Sequence, residues 1–170
     1  MRKGDTMTQW EALFARQYNG NIVLKQDNSP NYLGHGFAAT NDPQSWRLFP
    51  AEFNGVLQGK PSKTSGYWIF QTGTFQCWQF DLSGFHELLN WNVSSNGLPE
   101  DLEIFIFKIV DAMKGTVKIY TGVSGSFVGL IGSGYQCQAT EQTATVFRVG
   151  FCGYQQGISI GVGDIIWAGN

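Results

Sequence analysis

The chain has 170 residues, of which 42% are hydrophobic, 15% aromatic and only 14% charged. This composition is too apolar for a disordered chain, and one domain of this length can bury a large core without a metal or disulfide to hold it together. Eleven Lys and Arg against thirteen Asp and Glu give a net charge of −2, and the sequence has no basic stripe that could bind nucleic-acid phosphates. We therefore expect one folded domain and no nucleic-acid partner.

The hydrophobic pattern argues against two further classes of protein. No apolar run reaches the ~20 residues that a helix needs to span a bilayer, so we expect no membrane partner. Residues 1–7 are mostly polar with no apolar segment behind them, which is not the pattern of a signal peptide. The protein is expected to stay where it is made or to leave by another route.

The first predicted element is a short amphipathic helix of about ten residues. Thr8 and Glu11 form a capping-box pattern at its start, and Asn19-Gly20 predicts its end. A helix this short is not stable alone, so its apolar stripe must pack on its own domain or on a neighbouring subunit. The candidate interface residues of this stripe, spaced by three and four, are Trp10, Leu13, Phe14 and Tyr18.

From residue 21 the hydrophobic period changes to two, which predicts short strands separated by turns. The predicted strands are 21–25, 36–39, 45–49, 53–57, 67–71, 75–82, 102–110, 116–121, 127–131, 143–152, 157–162 and 165–168. Residues 60–66 are a predicted loop, and Gly73 is expected to take a positive φ in a hairpin turn. The strand 102–110 is apolar on both faces except at Lys108, so we expect it to be central and covered twice, or part of an interface.

Many short strands with glycine-rich turns, and no helices of crossover length between them, predict an all-β fold. We expect one antiparallel β-sandwich domain over residues 21–170, preceded by a leader and short helix over residues 1–20. A jelly roll is the leading topology, and a closed barrel is the alternative that periodicity cannot separate from it. The sequence contains no internal repeat of blade or solenoid length.

The sequence offers little catalytic chemistry. Neither His35 nor His86 has a spacing that would place two imidazoles on one metal, and we interpret both as loop histidines hydrogen-bonded to the backbone. The densest acidic group is Glu100, Asp101 and Glu103. It follows a proline turn, and we interpret it as a solvated strand start rather than a glycosidase pair or a calcium site. We expect no enzyme activity, no cofactor and no metal.

The three cysteines are an odd number without a C-x-x-C spacing, which argues against a zinc site. Cys137 and Cys152 lie on neighbouring predicted strands and could pair. We favour the interpretation that these two cysteines and Cys77 are all buried as small hydrophobic side chains with free thiols.

Aromatic residues exceed what one buried face per sheet should need, with six Trp, six Tyr and thirteen Phe. Adjacent bulky residues of a strand point to opposite faces, so either Tyr67 or Trp68 leaves the core unless a second layer covers it. Flat rings flanked by Asn and Gln suit stacking on sugars or contacts between subunits. The candidate platform residues are Trp46, Tyr67, Trp68, Trp78 and Trp91.

Two segments resemble the middle of jelly-roll modules: residues 80–89 (FDLSGFHELL) and, after an apolar strand, residues 115–122 (GTVKIYTG). Such modules occur as carbohydrate-binding modules and as small β-sandwich proteins of phage virions. The resemblance implies one of these two functions and assigns no binding residue.

We therefore expect a non-enzymatic structural or interaction subunit of a larger assembly. The leading form is a bacteriophage virion protein, such as a capsid decoration, fibre or tail component. Its partners would be protein subunits of the same assembly, in a homo-oligomer, and its location would be the virion, assembled in the host cytoplasm. The alternative is a carbohydrate-binding module or lectin that binds a glycan on exposed Trp and Tyr rings.

Overall fold

The structure is a computed structural model and describes residues 7–57, 59–81, 87–99, 103–155 and 161–169. Two helices, α1 (Gln9–Phe14) and α2 (Val93–Asn96), accompany fifteen strands in these ranges. The strands are β1 (Asn21–Gln26), β2 (Tyr32–Leu33), β3 (Ala39–Thr40), β4 (Trp46–Leu57), β5 (Lys60–Gln71), β6 (Gln76–Phe80), β7 (Leu88–Asn92), β8 (Ile104–Asp111), β9 (Thr116–Thr121), β10 (Phe127–Ile131), β11 (Gly134–Ala139), β12 (Phe147–Cys152), β13 (Tyr154–Gln155), β14 (Gly161–Val162) and β15 (Ile166–Trp167). No helix in the described part of the chain is long and apolar enough to cross a membrane.

Helix α1 begins with the predicted capping box. The Glu11 main-chain N–H donates to Thr8 Oγ1 at 3.1 Å, and the Thr8 N–H donates to Glu11 Oε1 at 3.2 Å. The helix ends earlier than predicted, at Phe14, because Arg16 takes a φ of 58° and turns the chain. Tyr18 therefore lies beyond the helix.

Six strands pair into a closed antiparallel ring in the order β1–β4–β5–β8–β9–β12, with β12 returning to β1. Three hairpins connect ring strands along the chain. Hairpin β2–β3 lies between β1 and β4, β6–β7 between β5 and β8, and β10–β11 between β9 and β12. The chain thus repeats one unit three times, a ring strand, a hairpin and a second ring strand. The units differ in hairpin length and in residues, which is why the sequence shows no repeat.

The predicted antiparallel all-β fold with a short N-terminal helix is confirmed. The closed ring matches the closed barrel that the sequence analysis kept as the alternative to a jelly roll. Among the described residues no pairing is specific to a jelly roll. Strand β8 has a neighbour on each side, as expected of a central strand, but it is buried only in its first half.

One core lies inside the ring. Alternate residues of each ring strand point inward, as the period of two requires. These buried residues are Ile22 and Leu24 of β1, Trp46 and Leu48 of β4, Tyr67 and Ile69 of β5, Phe105 and Phe107 of β8, Val117 and Ile119 of β9, and Phe147, Val149 and Phe151 of β12. Leu13 of α1 joins the same cluster.

The largest correction to the predicted strands concerns β4 and β5. The structure replaces strands 45–49 and 53–57 and the loop 60–66 with one long ladder, from Trp46↔Gln71 to Leu57↔Lys60. Its outer part, the pairs from Phe53↔Thr64 to Leu57↔Lys60, has no third strand beside it among the described pairings; we call it the β4–β5 arm.

Smaller corrections concern three other segments. Residues 35–37 form a 3₁₀ turn, so the strand predicted at 36–39 is reduced to β3. Strand β11 was not predicted, and β12 begins four residues later than expected. The first part of the predicted strand 157–162 lies outside the described residues.

Candidate functional site

The β4–β5 ladder separates two sets of aromatic side chains. Directly opposite residues of an antiparallel pair share a face, so the register Phe49↔Trp68 and Arg47↔Phe70 places these four side chains together on the outer face. Trp46, Leu48, Tyr67 and Ile69 alternate with them and are fully buried. The expectation that either Tyr67 or Trp68 leaves the core is confirmed: Tyr67 is inside, and Trp68 is half-buried on the outer face.

Two loops add apolar side chains beside this outer face. The β5–β6 turn presents Phe75, which is 71% exposed, and the segment after α2 presents Leu98, which is 77% exposed. Phe49, on the outer face of β4 beside these two residues, is 36% exposed. Three large apolar side chains with this degree of exposure therefore surround one depression and form a contiguous apolar patch on the surface.

Hydrogen bonds hold both loops in place. In the β5–β6 turn, Gly73 has the predicted positive φ of 79°, and Thr74 Oγ1 donates to the main-chain oxygen of Gln71 at 2.8 Å. The Trp91 indole N–H donates to the main-chain oxygen of Gly97 at 2.9 Å. The Val93 N–H donates to the main-chain oxygen of Phe75 at 2.9 Å and joins the two loops. The exposed apolar side chains therefore stand on a constrained backbone.

Together these elements form an open groove of about 460 Å³, which we call the aromatic groove. Eight of its ten lining residues are apolar: Phe49, Pro50, Trp68, Phe70, Phe75, Val93, Leu98 and Pro99. The two polar lining residues are Asn19 and Thr74. The Phe49 and Phe70 rings meet edge to face at 5.4 Å, and the Arg47 guanidinium lies 4.6 Å above the Phe49 ring. The groove has the character of a protein-binding or ring-stacking surface.

One wall of the groove contains an unsatisfied donor. The Trp68 Nε1 atom is buried and has no hydrogen-bond partner among the described residues. Trp78 Nε1, in the core, is in the same state, whereas Trp46 Nε1 donates to the main-chain oxygen of Leu33 at 3.0 Å. A buried N–H without an acceptor costs about 1–3 kcal/mol, and because the core residue Trp78 shares this state, the feature does not by itself distinguish the groove wall from the core.

The five predicted platform residues separate into two groups. Trp46, Tyr67 and Trp78 are core residues with exposures of 0–1%, so they offer no ring face to a ligand, which corrects this part of the prediction. Trp68 lines the aromatic groove, and Trp91 is half-buried and supports the loop at Gly97. The groove residues that sequence reasoning missed are Phe49, Phe70, Phe75 and Leu98. Phe75 and Leu98 follow turn glycines, and an apolar residue in a turn was the available signal.

The predicted interface stripe packs on its own domain. Leu13 is buried, and Trp10, Phe14 and Tyr18 are half-buried against the core. The Tyr67 hydroxyl accepts the Tyr18 main-chain N–H at 3.1 Å and donates to the main-chain oxygen of Leu13 at 3.1 Å. The residues that follow α1 are thus tied to the ring, which makes its own domain the surface that covers this stripe.

His35 matches the interpretation given to it from sequence. Its Nε2 donates to the main-chain oxygen of Ser45 at 2.9 Å, and its ring packs edge-on against Trp46. His86 and the acidic pair Glu100 and Asp101 lie outside the described residues, whereas Glu103 is buried. Within the described ranges, no group of three or more His, Cys, Asp or Glu is placed to hold a metal ion.

The three cysteines are free thiols, Cys77 and Cys137 buried and Cys152 half-buried. The disulfide between Cys137 and Cys152 that the sequence left open is not formed. Burial raises the pKa of Cys77 and Cys137 to about 12 and that of Cys152 to about 11. The thiolate, which is the reactive form, is therefore scarce at neutral pH.

Comparison of the chain with protein-family profiles, with curated proteins and with solved structures finds no match in any of the three.

Proposed function

We propose that the protein is a non-enzymatic subunit of an assembly, and that it docks on a second copy of itself through the aromatic groove. The observation that carries this proposal is the gathering of Phe49, Phe75 and Leu98, all exposed, around one apolar depression. Apolar surface of this kind gains the most free energy when a protein neighbour excludes water from it.

A second copy fits because the groove and its projecting side chains belong to the same surface. A twofold contact uses one patch on both subunits, so it needs a surface that carries a depression and a projection together. Phe75 and Leu98 project beside the groove that Phe49, Trp68 and Phe70 floor. Each copy can then insert Phe75 or Leu98 into the groove of the other.

The larger assembly is proposed from the resemblance of residues 80–89 and 115–122 to virion modules. On this view the protein is a homo-oligomeric subunit of a bacteriophage virion, as a capsid decoration, fibre or tail component. Detection of the chain by mass spectrometry in purified particles tests this assignment, and particles that lack it would contradict it.

Sedimentation velocity across micromolar concentrations tests docking through the groove. We expect a reversible dimer that Phe75→Ser and Leu98→Ser each weaken by about tenfold or more, since central apolar anchors dominate an interface. Met113→Ser is the matched control, because Met113 is 70% exposed but does not line the groove. A wild-type chain that stays monomeric, or an equal loss in the Met113 variant, would overturn the proposal.

Glycan binding is the second candidate, favoured by the ring of Trp68 beside the polar groups of Asn19 and Thr74. Sugars need many hydrogen bonds as well as a ring face, and two polar residues among ten are few. A glycan array with Trp68→Ala, and with Trp91→Ala as control, tests it. Binding that only the Trp68 variant loses supports this candidate, and the absence of aromatic-dependent binding counts against it.

A further inference from the structure

Two pairs of like charges lie on adjacent strands of the ring. Lys108 of β8 lies directly opposite Lys118 of β9, and Lys25 of β1 lies directly opposite Arg148 of β12. Directly opposite side chains share a face, and like charges there destabilise a sheet. A negative charge beside either pair would therefore stabilise the sheet.

The first pair has that source within the chain. Glu141 accepts a hydrogen bond from Lys108 Nζ through its carboxylate and one from Lys118 Nζ through its main-chain oxygen. The hydrogen bond from Lys108 lowers the pKa of the Glu141 carboxyl below its usual value. One acidic residue thus holds the two lysines together.

The second pair has no such residue. No carboxylate in the described ranges lies within ion-pair distance of Lys25 or Arg148. Asp27 lies in the turn that follows β1 and forms no ion pair with Lys25. Both cations are half-buried, so water screens their repulsion less than on an open surface.

Aromatic rings fix one side of this second pair. The Arg148 guanidinium lies 5.0 Å above the Trp167 ring, and the Tyr32 ring is 6.4 Å from Trp167. Tyr32 is also the neighbour of Lys25 on the other side of β1. The Arg148 side chain forms no hydrogen bond with the described residues, so its N–H groups are free to bind a two-oxygen acceptor while the ring covers one side of the guanidinium.

We propose that Lys25 and Arg148 form a binding site for an oxyanion group, such as a phosphate, sulfate or carboxylate, with Trp167 and Tyr32 as its apolar side. The anion takes the place that Glu141 occupies between Lys108 and Lys118. The site is formed by other strands than the aromatic groove and does not depend on the function proposed for that groove.

NMR titration of the Arg148 Nε–Hε resonance with inorganic phosphate, sulfate or acetate, at constant ionic strength in sodium chloride, tests the proposal. We expect a saturable shift with at least one of the three anions, and their order identifies the oxyanion class. Lys25→Gln should weaken this binding by about tenfold, since hydrogen bonds to charged groups are the strong ones.

Lys108→Gln is the matched control, because it removes the same charge from the pair that already has the Glu141 carboxylate beside it. It should leave the Arg148 response unchanged. Arg148→Lys should also weaken the binding, read from the Trp167 indole resonance, because lysine keeps the charge and loses the two-pronged donor. A response that does not saturate, or that both glutamine variants reduce equally, would show screening by salt and overturn the proposal.

Discussion

Phe49 of β4 lies directly opposite Trp68 of β5, with both side chains on the outer face of the ring. The preceding residue of β4, Leu48, lies opposite Ile69, and both are fully buried. A shift of register by a single residue would exchange these two sets. One ladder therefore determines both which rings form the core and which ones line the aromatic groove.

This alternation predicts that substitutions at two neighbouring residues lower stability by unequal amounts. Leu48→Ala should lower the free energy of unfolding by about 3 kcal/mol, because it leaves a cavity in a closed core. Phe49→Ala should lower it by about 1 kcal/mol or less, since Phe49 is 36% exposed on the outer face, where it contacts Phe70 and Arg47. Urea denaturation measures both, and equal losses would contradict the assigned faces.

The Tyr67 hydroxyl is predicted to couple the segment after α1 to the ring. Tyr67→Phe leaves the Tyr18 N–H and the Leu13 oxygen without this partner, which should cost about 1–2 kcal/mol of unfolding free energy. Tyr120→Phe is a suitable control, because its hydroxyl forms no hydrogen bond among the described residues and its half-buried ring remains. Denaturation curves that coincide for the two variants would show that the hydroxyl does not couple these elements.

The buried thiols and phenols predict loss of stability in alkali. Burial raises the pKa of Cys77 from 9.0 to about 12 and that of Tyr67 from 10.0 to about 12. The unfolded chain then releases these protons at a lower pH than the folded chain. Their contribution is complete below about pH 9 and is lost progressively as the pH rises towards 12. Unfolding free energies measured by urea between pH 7 and pH 11 should therefore fall above about pH 9, and Cys77→Ala should reduce that fall.

Hydrogen exchange should distinguish the β4–β5 arm from the rest of the β4–β5 ladder. Two strands without a third beside them are marginally stable in water, so amides from Phe53 to Leu57 should exchange faster than those from Trp46 to Phe49. Equal protection along the whole of β4 would indicate that another molecule pairs with the arm. The comparison is internal to one strand and needs no variant.

Local sequence patterns correctly predicted those features of the fold that depend on short-range interactions. The capping box of Thr8 and Glu11, the turn at Gly73 and the opposite faces of Tyr67 and Trp68 each depend on residues close together in the chain. The β4–β5 arm was missed because proline and lysine between residues 60 and 63 are typical of a loop. Pairing with β4 overrides that preference.

The aromatic groove could not be predicted because it joins segments that are far apart in sequence. Asn19, the β4–β5 residues Phe49 and Phe70, and Leu98 lie on separate segments that meet only in the folded domain. Periodicity shows that one of two adjacent rings leaves the core, but the register of the strands decides which one. That register depends on long-range pairing rather than on either segment alone.

Closure of the ring by β1 and β12 has a consequence for synthesis of the protein. Ile22 finds its strand partner in Phe151, so β1 leaves the ribosome long before the strand that must lie beside it exists. In a nascent chain, the edge of β1 that pairs with β12 stays unpaired until β12 has been made. We expect chaperones that shield such edges to raise its yield, and truncation before β12 to give aggregates instead of a smaller folded domain.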